Sequence, residues 1–342
     1  MPGVRRCESR PDAALRRAVN RAWWLTLALA SLVALAAAWF VHARFARDLA
    51  RAAERAAEGS TVVATRCGPI EVQQAGAGVP LLVIHGSGGG HDQGMAFARG
   101  LVPRGIRVIA MSRFGYLRTP LPADASPAAQ ADAHVCLLDA LGIERAAVMG
   151  ISAGGLSAMQ TAIRHPERVT ALLLVVSLAW RPPQQAASVP PPSALAERIL
   201  LRLVGSDFVF WAALQLAPDQ LIARVLATPP AAVHAASPAE RARVQAMLRS
   251  ILPVSARADG LRNETRIAKA LGPYALDAIR APTLLISARD DGYGTFAGAQ
   301  YTAGRIAGSK FVGFDDGGHL LVGHDEQVRA EIVEWVSRAA AR

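Results

Sequence analysis

One apolar run stands apart from the rest of the chain. Trp23–Val41 is 19 residues long and carries no charged side chain. As a helix it would measure about 29 Å, the thickness of a bilayer hydrocarbon core. Trp23, Trp24 and Trp39 stand at its ends, where interfacial aromatics belong. The other apolar runs are short. Thr61–Thr65 and Ile70–Gln74 read as a hairpin with Cys67-Gly68-Pro69 near its bend. Leu81–Ile84, Arg107–Met111, Ala146–Gly150, Val169–Val176, Thr283–Ser287 and Lys310–Phe314 have the length and apolarity of buried strands. Helical patterns fall between them. One opens at Ser126-Pro127, a capping serine before a proline, and ends at Gly142. Another runs from Leu156 to Arg164 and stops at Pro166, and a closing helix lies near Glu326–Ala340. Strands alternating with helices predict an α/β fold, a mostly parallel central sheet flanked by helices.

Residues 181–280 break that alternation. Prolines at 182, 183 and 190–192 introduce helical segments over Ser193–Val204, Asp207–Ala217 and Ser237–Leu252. The last opens with Ser237-Pro238-Ala239-Glu240, the pattern of a capping box. The segment is expected to be a helical cap over the sheet, with Trp180, Phe208, Phe210 and Trp211 as candidates to line an apolar cleft beneath it, or else to pack as ordinary helix residues. The predicted organisation is a basic tail (1–22), a transmembrane anchor (23–41), a helical stalk (42–59) ended by Gly59, the first part of the core (60–180), the cap (181–280) and the second part of the core (281–342).

Charge adds an orientation. The 342 residues carry a formal net charge of +10. Six arginines precede the apolar run, and those that follow it are mixed with Asp48, Glu54 and Glu58. The positive-inside rule then favours a cytoplasmic N-terminus, with the rest of the chain on the extracytoplasmic side of the membrane. A cleaved signal ending near Val41-His42-Ala43 would instead give a secreted protein, and a buried soluble helix is the third reading. The remaining positive charge is spread thinly without interleaved aromatics, so no nucleic-acid partner is expected. The cysteines, Cys7, Cys67 and Cys136, have no metal or redox spacing. Cys136 is expected in the core, and a Cys67–Cys136 bridge is open only in an oxidising compartment.

The candidate chemistry sits at predicted strand ends. Gly150-Ile151-Ser152-Ala153-Gly154 joins a strand to a helix in the G-x-S-x-G pattern, which holds a serine on a strained corner with its hydroxyl exposed. Small residues at Gly150 and Gly154 let two backbones pass closely. The later strand ends carry Asp290 and Asp291, then His319. A serine needs a base to take its proton, a histidine accepts it and later donates it to the leaving group, and a carboxylate fixes the ring. Glycines 317 and 318 would let the histidine loop approach the serine. The amide of Ala153 and that of Ser87, in the glycine-rich loop His85–Gly90, are the candidate donors to a developing oxyanion. His85 reads as a turn residue, His324 as a reserve base, Asp315 and Asp316 as loop polar groups. Arg113 either shapes the pocket floor or anchors a loop, and Tyr116 is equally ambiguous.

From about Thr61 onward the chain resembles the α/β-hydrolase fold superfamily, on the strength of His85–Gly89, Arg113–Tyr116, Gly150–Gly154, Ala288–Asp291 and Gly317–His319. The resemblance implies a serine hydrolase with Ser152 as nucleophile, His319 as base and Asp291 rather than Asp290 as the acid, because the family's acid usually stands three residues beyond a small strand-ending residue. It implies no cofactor and no metal. A serine nucleophile disfavours the dehalogenase and epoxide-hydrolase branches. Carboxylic-ester hydrolysis of a small, apolar acyl substrate is the expected reaction. Hydrolysis of a C–C bond in a diketone-type substrate is the alternative, and a non-catalytic ligand-binding protein is the second class. The oligomeric state is not readable from the sequence.

Overall fold

The computed structural model describes residues 13–182 and 205–341, which divide into two compact units, 1–50 and 51–342. The first unit is helical. Helix α1 (Ala13–Ala57) runs unbroken through position 41, so the apolar run and the expected stalk are one helix. Residues 16–42 are exposed along it, and by length and composition it can cross a membrane. Its last turns count with the second unit, where Ala52 and Ala56 are buried.

In the second unit an eight-stranded sheet has the order β1-β2-β4-β3-β5-β6-β7-β8. Its strands are β1 (Thr61–Thr65), β2 (Gly68–Ala75), β3 (Val79–Ile84), β4 (Ile106–Met111), β5 (Ala146–Ile151), β6 (Val169–Val175), β7 (Thr283–Ala288) and β8 (Lys310–Phe314). The pairings β1–β2 and β2–β4 are antiparallel and the others parallel. Strands β3, β5, β6 and β7 have helices over both faces, which is why their sequences are near-continuous apolar runs rather than alternating ones. Two buried clusters result. Leu82, Ile84 and Val148 belong to one, Leu81, Val83 and Met149 to the other, as the period of two along a strand requires.

Among the described residues, the helices of the second unit are α2 (His91–Ala98), α3 (Pro127–Ala140), α4 (Gly154–Arg164), α5 (Asp207–Leu216), α6 (Pro218–Arg224), α7 (Pro230–Ala235), α8 (Pro238–Ser250), α9 (Ala258–Lys269), α10 (Thr295–Ala303) and α11 (Asp325–Ala340). The Ser126 hydroxyl accepts from Ala129 N–H at the start of α3, as a capping serine does. At α8 only half of the expected capping box forms. Ser237 accepts from Glu240 N–H, but the Glu240 carboxylate turns away to Arg243 and Gly323. The helix expected over Ser193–Val204 lies outside the described residues.

Cys67 and Cys136 correct a sequence expectation. They form a disulfide, with Cα atoms 6.0 Å apart and a sequence separation of 69. Cys136 is buried as expected, but it faces the β1–β2 turn, which carries Cys67 onto α3.

Candidate active site

Strand β5 lies between β3 and β6 and delivers the chain to a sharp corner. Ser152 at that corner has φ +52°, a left-handed conformation that a non-glycine residue adopts at a cost of about 1–3 kcal/mol. Its backbone is held on two sides: its N–H donates to Val175 O (3.0 Å), and its carbonyl accepts from Gly155 (3.1 Å) and Leu178 (2.9 Å). The flanking glycines meet a steric demand. A Cβ on Gly154 would stand 2.4 Å from the Ile84 carbonyl oxygen, and one on Gly150 2.6 Å from the Gly155 Cα. Helix α4 begins just beyond, so its positive end faces the serine.

The loop after β7 carries two aspartates with different tasks. Asp291 Oδ2 lies 2.8 Å from His319 Nδ1. The same carboxylate accepts from Tyr293 N–H (2.9 Å) and from the Thr295 hydroxyl, and Thr295 is in turn bonded to Ser287. These partners fix the acid, and the acid fixes the ring. Asp290 instead accepts from Gly318 N–H (2.8 Å), so it holds the backbone of the histidine loop. The resemblance to the hydrolase superfamily implied Asp291 rather than Asp290 as the histidine's partner. It gave no sign of the loop-holding role of Asp290 or of Thr295.

Gly318 in the histidine loop meets a steric demand. A Cβ on it would stand 2.7 Å from Thr228 Cα, so the loop packs on the turn between α6 and α7. That turn is bonded to both active-site loops. Ala227 O accepts from Gly292 and His319, and Thr228 Oγ1 accepts from Leu320 N–H. Arg243 on α8 donates to Leu320 O (2.9 Å).

At the end of β3, His85 is buried. Its Nε2 accepts from Arg113 N–H (3.0 Å), which leaves Nδ1 to donate to Gly86 O (2.7 Å). Burial and the nearby Arg113 charge push its pKa well below the ordinary imidazole range, so it is a neutral turn residue. A Cβ on Gly86 would stand 2.8 Å from Ser152 Cβ, which requires glycine there. Arg257, fully buried in the turn before α9, ties this loop down through Gly89 O and Asp92.

Ser152 and His319 line one cavity of about 90 Å³, together with His85, Gly86 and Ser87. Its apolar wall comes from Phe97, Val225, Leu226, Met247, Ile251 and Tyr293. Trp180, Phe208, Phe210 and Trp211 are not part of it; Phe210 and Trp211 are buried, in line with the packing alternative, and Trp180 stacks edge-on against Tyr301. Ser87 also borders a second cavity of about 250 Å³, which it shares with Ala153 and Arg113. The N–H groups of Ser87 and Ala153 have no acceptor among the described residues. His324 is bonded to Asp316 and stacked on Phe314, away from Ser152. Asp315 pairs with Arg289 at the surface. Among the described residues no group of three His, Cys, Asp or Glu side chains is placed to hold a metal ion.

The structure thus brings Ser152 and His319 to one cavity, with Asp291 bonded to the ring of His319. Known proteins place the chain consistently. The family profile described as alpha/beta hydrolase fold matches residues 79–324. A 2-hydroxymuconate semialdehyde hydrolase of Pseudomonas sp. (strain CF600) is 44% identical over 111 residues, 31% of this chain and 39% of that protein. The chain thus aligns with well under half the length of that relative. A putative carbamate hydrolase, RutD, of Pseudomonas savastanoi pv. phaseolicola is 30% identical over 250 residues, covering 71% of this chain and 88% of the relative. Among solved structures, an alpha/beta hydrolase fold protein from Nakamurella multipartita superposes with a TM-score of 0.66 at 32% identity, over 82% of this chain and 99% of the other.

Proposed function

Since the chain belongs to the α/β-hydrolase fold family, we propose that it is a serine hydrolase that cleaves a carboxylic ester or similar acyl bond through an acyl-enzyme on Ser152. The observation that carries this reading is the 2.8 Å bond between Asp291 and His319 Nδ1, with His319 and Ser152 on one cavity. Asp291 holds the proton on Nδ1 and leaves Nε2 free as the base. His319 takes the Ser152 proton as the oxygen attacks the carbonyl carbon. The Ser87 and Ala153 amides receive the oxyanion, each such donor contributing about 3–4 kcal/mol to the transition state. His319 then protonates the departing alcohol. Water, activated by the same ring, attacks the acyl-enzyme and releases the acid. Reaction with a fluorophosphonate probe, lost in Ser152→Ala, is the test. A wild-type protein that never labels would return the fold to a non-catalytic binding role.

A second reading, C–C bond hydrolysis of a diketone-type substrate, draws support from the identity to the 2-hydroxymuconate semialdehyde hydrolase. Rates on p-nitrophenyl esters and on a vinylogous 1,5-diketone, compared in one preparation, separate the two.

The apolar run at 23–41 serves in this reading as a single-pass anchor, with the hydrolase domain extracytoplasmic. The arginines before the span and the Cys67–Cys136 bridge support that side, since disulfides persist in oxidising compartments. Membrane fractionation with protease accessibility tests it, and release of a shorter soluble form would mean signal cleavage instead.

A further inference from the structure

The turn that carries His319 is one that a free chain would not hold. Gly317, Gly318 and Gly323 have φ of +107°, +62° and +87°, and between them Leu321, which has a Cβ, has φ +51°. Glycines leave a backbone many other conformations. A non-glycine residue stays in the left-handed region only where its surroundings over-determine it. The turn bonds to itself through Leu321 N–H to Gly318 O (3.2 Å) and Val322 N–H to Gly317 O (2.8 Å). On one side the strand-end loop after β7 holds it, with Asp290 on Gly318 N–H and Asp291 on the ring. On the other side the hold comes from the cap.

Arg243 and Glu240 stand one turn apart on α8 and pair through Nε to Oε1 and Nη2 to Oε2, 2.9 Å each. The carboxylate fixes the plane of the guanidinium, as a bidentate pair does. Nη2 has a second N–H, and it donates to Leu320 O (2.9 Å). Glu240 Oε2 accepts from Gly323 N–H (3.1 Å). The pair therefore grips the turn at both ends, before and after the strained Leu321. The two side chains are 22% and 16% exposed, so water competes weakly for these bonds. The turn between α6 and α7 adds Thr228 Oγ1 on Leu320 N–H (3.1 Å) and Ala227 O on His319 N–H (3.3 Å). Both backbone polar groups of Leu320, the residue beside the histidine, are thus held by the cap. With Nδ1 tied to Asp291, the backbone of this turn decides where His319 Nε2 points.

We propose that Arg243, locked by Glu240, is a positioning residue for His319: it sets the turn after the histidine and through it the aim of the ring at Ser152. The cap then belongs to the catalytic machinery and is more than a cover. This rests on the Ser152 hydrolase reading for its kinetic consequence. The test uses the full chain in detergent with p-nitrophenyl butanoate, rates being expressed per site titrated with a fluorophosphonate. Arg243→Met should lower kcat about 10- to 100-fold, as a displacement of about 1 Å at a reacting group does, with KM within about threefold. Arg243→Lys, which can reach Leu320 O without the planar fork, should lose about three- to tenfold, and it is the variant read if Arg243→Met does not fold. Arg249→Met is the control; Arg249 lies on the same helix, bonded to Gln245, and kcat should hold. A kcat within about twofold of wild type in Arg243→Met, or a loss carried by KM alone, overturns the role. A second readout needs no turnover. The Nδ1 proton between His319 and Asp291, read by NMR of 15N-histidine protein and identified by its absence in Asp291→Asn, should shift or broaden in Arg243→Met and stay in Arg249→Met. An unchanged resonance also overturns the role. A wild type that neither labels nor hydrolyses any ester sinks the hydrolase reading and leaves the resonance to decide the clamp, whereas turnover that survives Arg243→Met sinks the clamp alone.

Discussion

Glu71 and Glu264 are two buried carboxylates, each beside an arginine, in opposite situations. Glu71 on β2 accepts from the Ser60 and Ser112 hydroxyls (2.9 Å each) and from Arg118 N–H and Nε (3.1 and 2.7 Å). His91 stands beside it at 3.5 Å and donates to Ala56 O (2.8 Å), so the network binds the last turn of α1 to the sheet. Both of its oxygens are supplied from within the chain. Glu264 on α9 has Arg113 and an Oε2 with no partner. The same residue type thus closes a full network in one place and leaves an oxygen unpartnered in the other.

Asp291 offers the severest challenge to that distinction, because its carboxylate is saturated too, yet one of its partners is the ring of His319. Asp291→Asn should lower kcat on a p-nitrophenyl ester about 10⁴-fold by misplacing the ring proton, with little change in the melting transition. A folded variant with near-normal turnover would put Asp291 in the class of Glu71. Next in size is Glu71→Gln. Removing a buried charge from its cation and donors should cost about 3–5 kcal/mol in denaturant unfolding, while turnover per folded molecule holds. A loss below about 1 kcal/mol would mean that saturation does not mark a scaffold.

Protonation supplies an intermediate case. His134 is buried, bonded to Ser157 through Nε2, with Nδ1 unpartnered. Burial, with the Arg113 charge, lowers its pKa to about 3. The unfolded chain therefore binds a proton that the folded one refuses. Stability should fall as the pH drops below about 6.5 toward 3, by about 1.4 kcal/mol per pH unit for this group. Urea titrations at several pH values should show a shallower slope for His134→Phe, and equal slopes would remove His134 as the cause.

Much of the fold is legible because its signals are local. The apolar runs at Leu81–Ile84 and Thr283–Ser287 have strand length and lack helical spacing, and Ser126-Pro127 carries a helix start in two adjacent residues. Ser237 with Glu240 shows where local reading fails. The motif is present, but Glu240 is drawn to Arg243 and Gly323 N–H. Burial pushes its carboxyl up, and the Arg243 bonds and charge with the Gly323 N–H outweigh this and hold it below the usual range. The aromatics left two readings open for a related reason. Helical spacing says that Phe210 and Trp211 are buried somewhere, not against which element.

By itself the sequence determined the corner at Ser152, the order serine, aspartate, histidine along strand ends, and an apolar span of membrane length. Those are demands of steric fit and hydrophobicity among neighbouring residues, and neighbouring residues state them. Tertiary structure alone decided that Gly318 meets Thr228, that Cys67 reaches Cys136, and that Glu264 comes to Arg113 with one oxygen left over. Each of these contacts joins side chains far apart in the chain, and only the relative placement of the elements that carry them brings their atoms within reach.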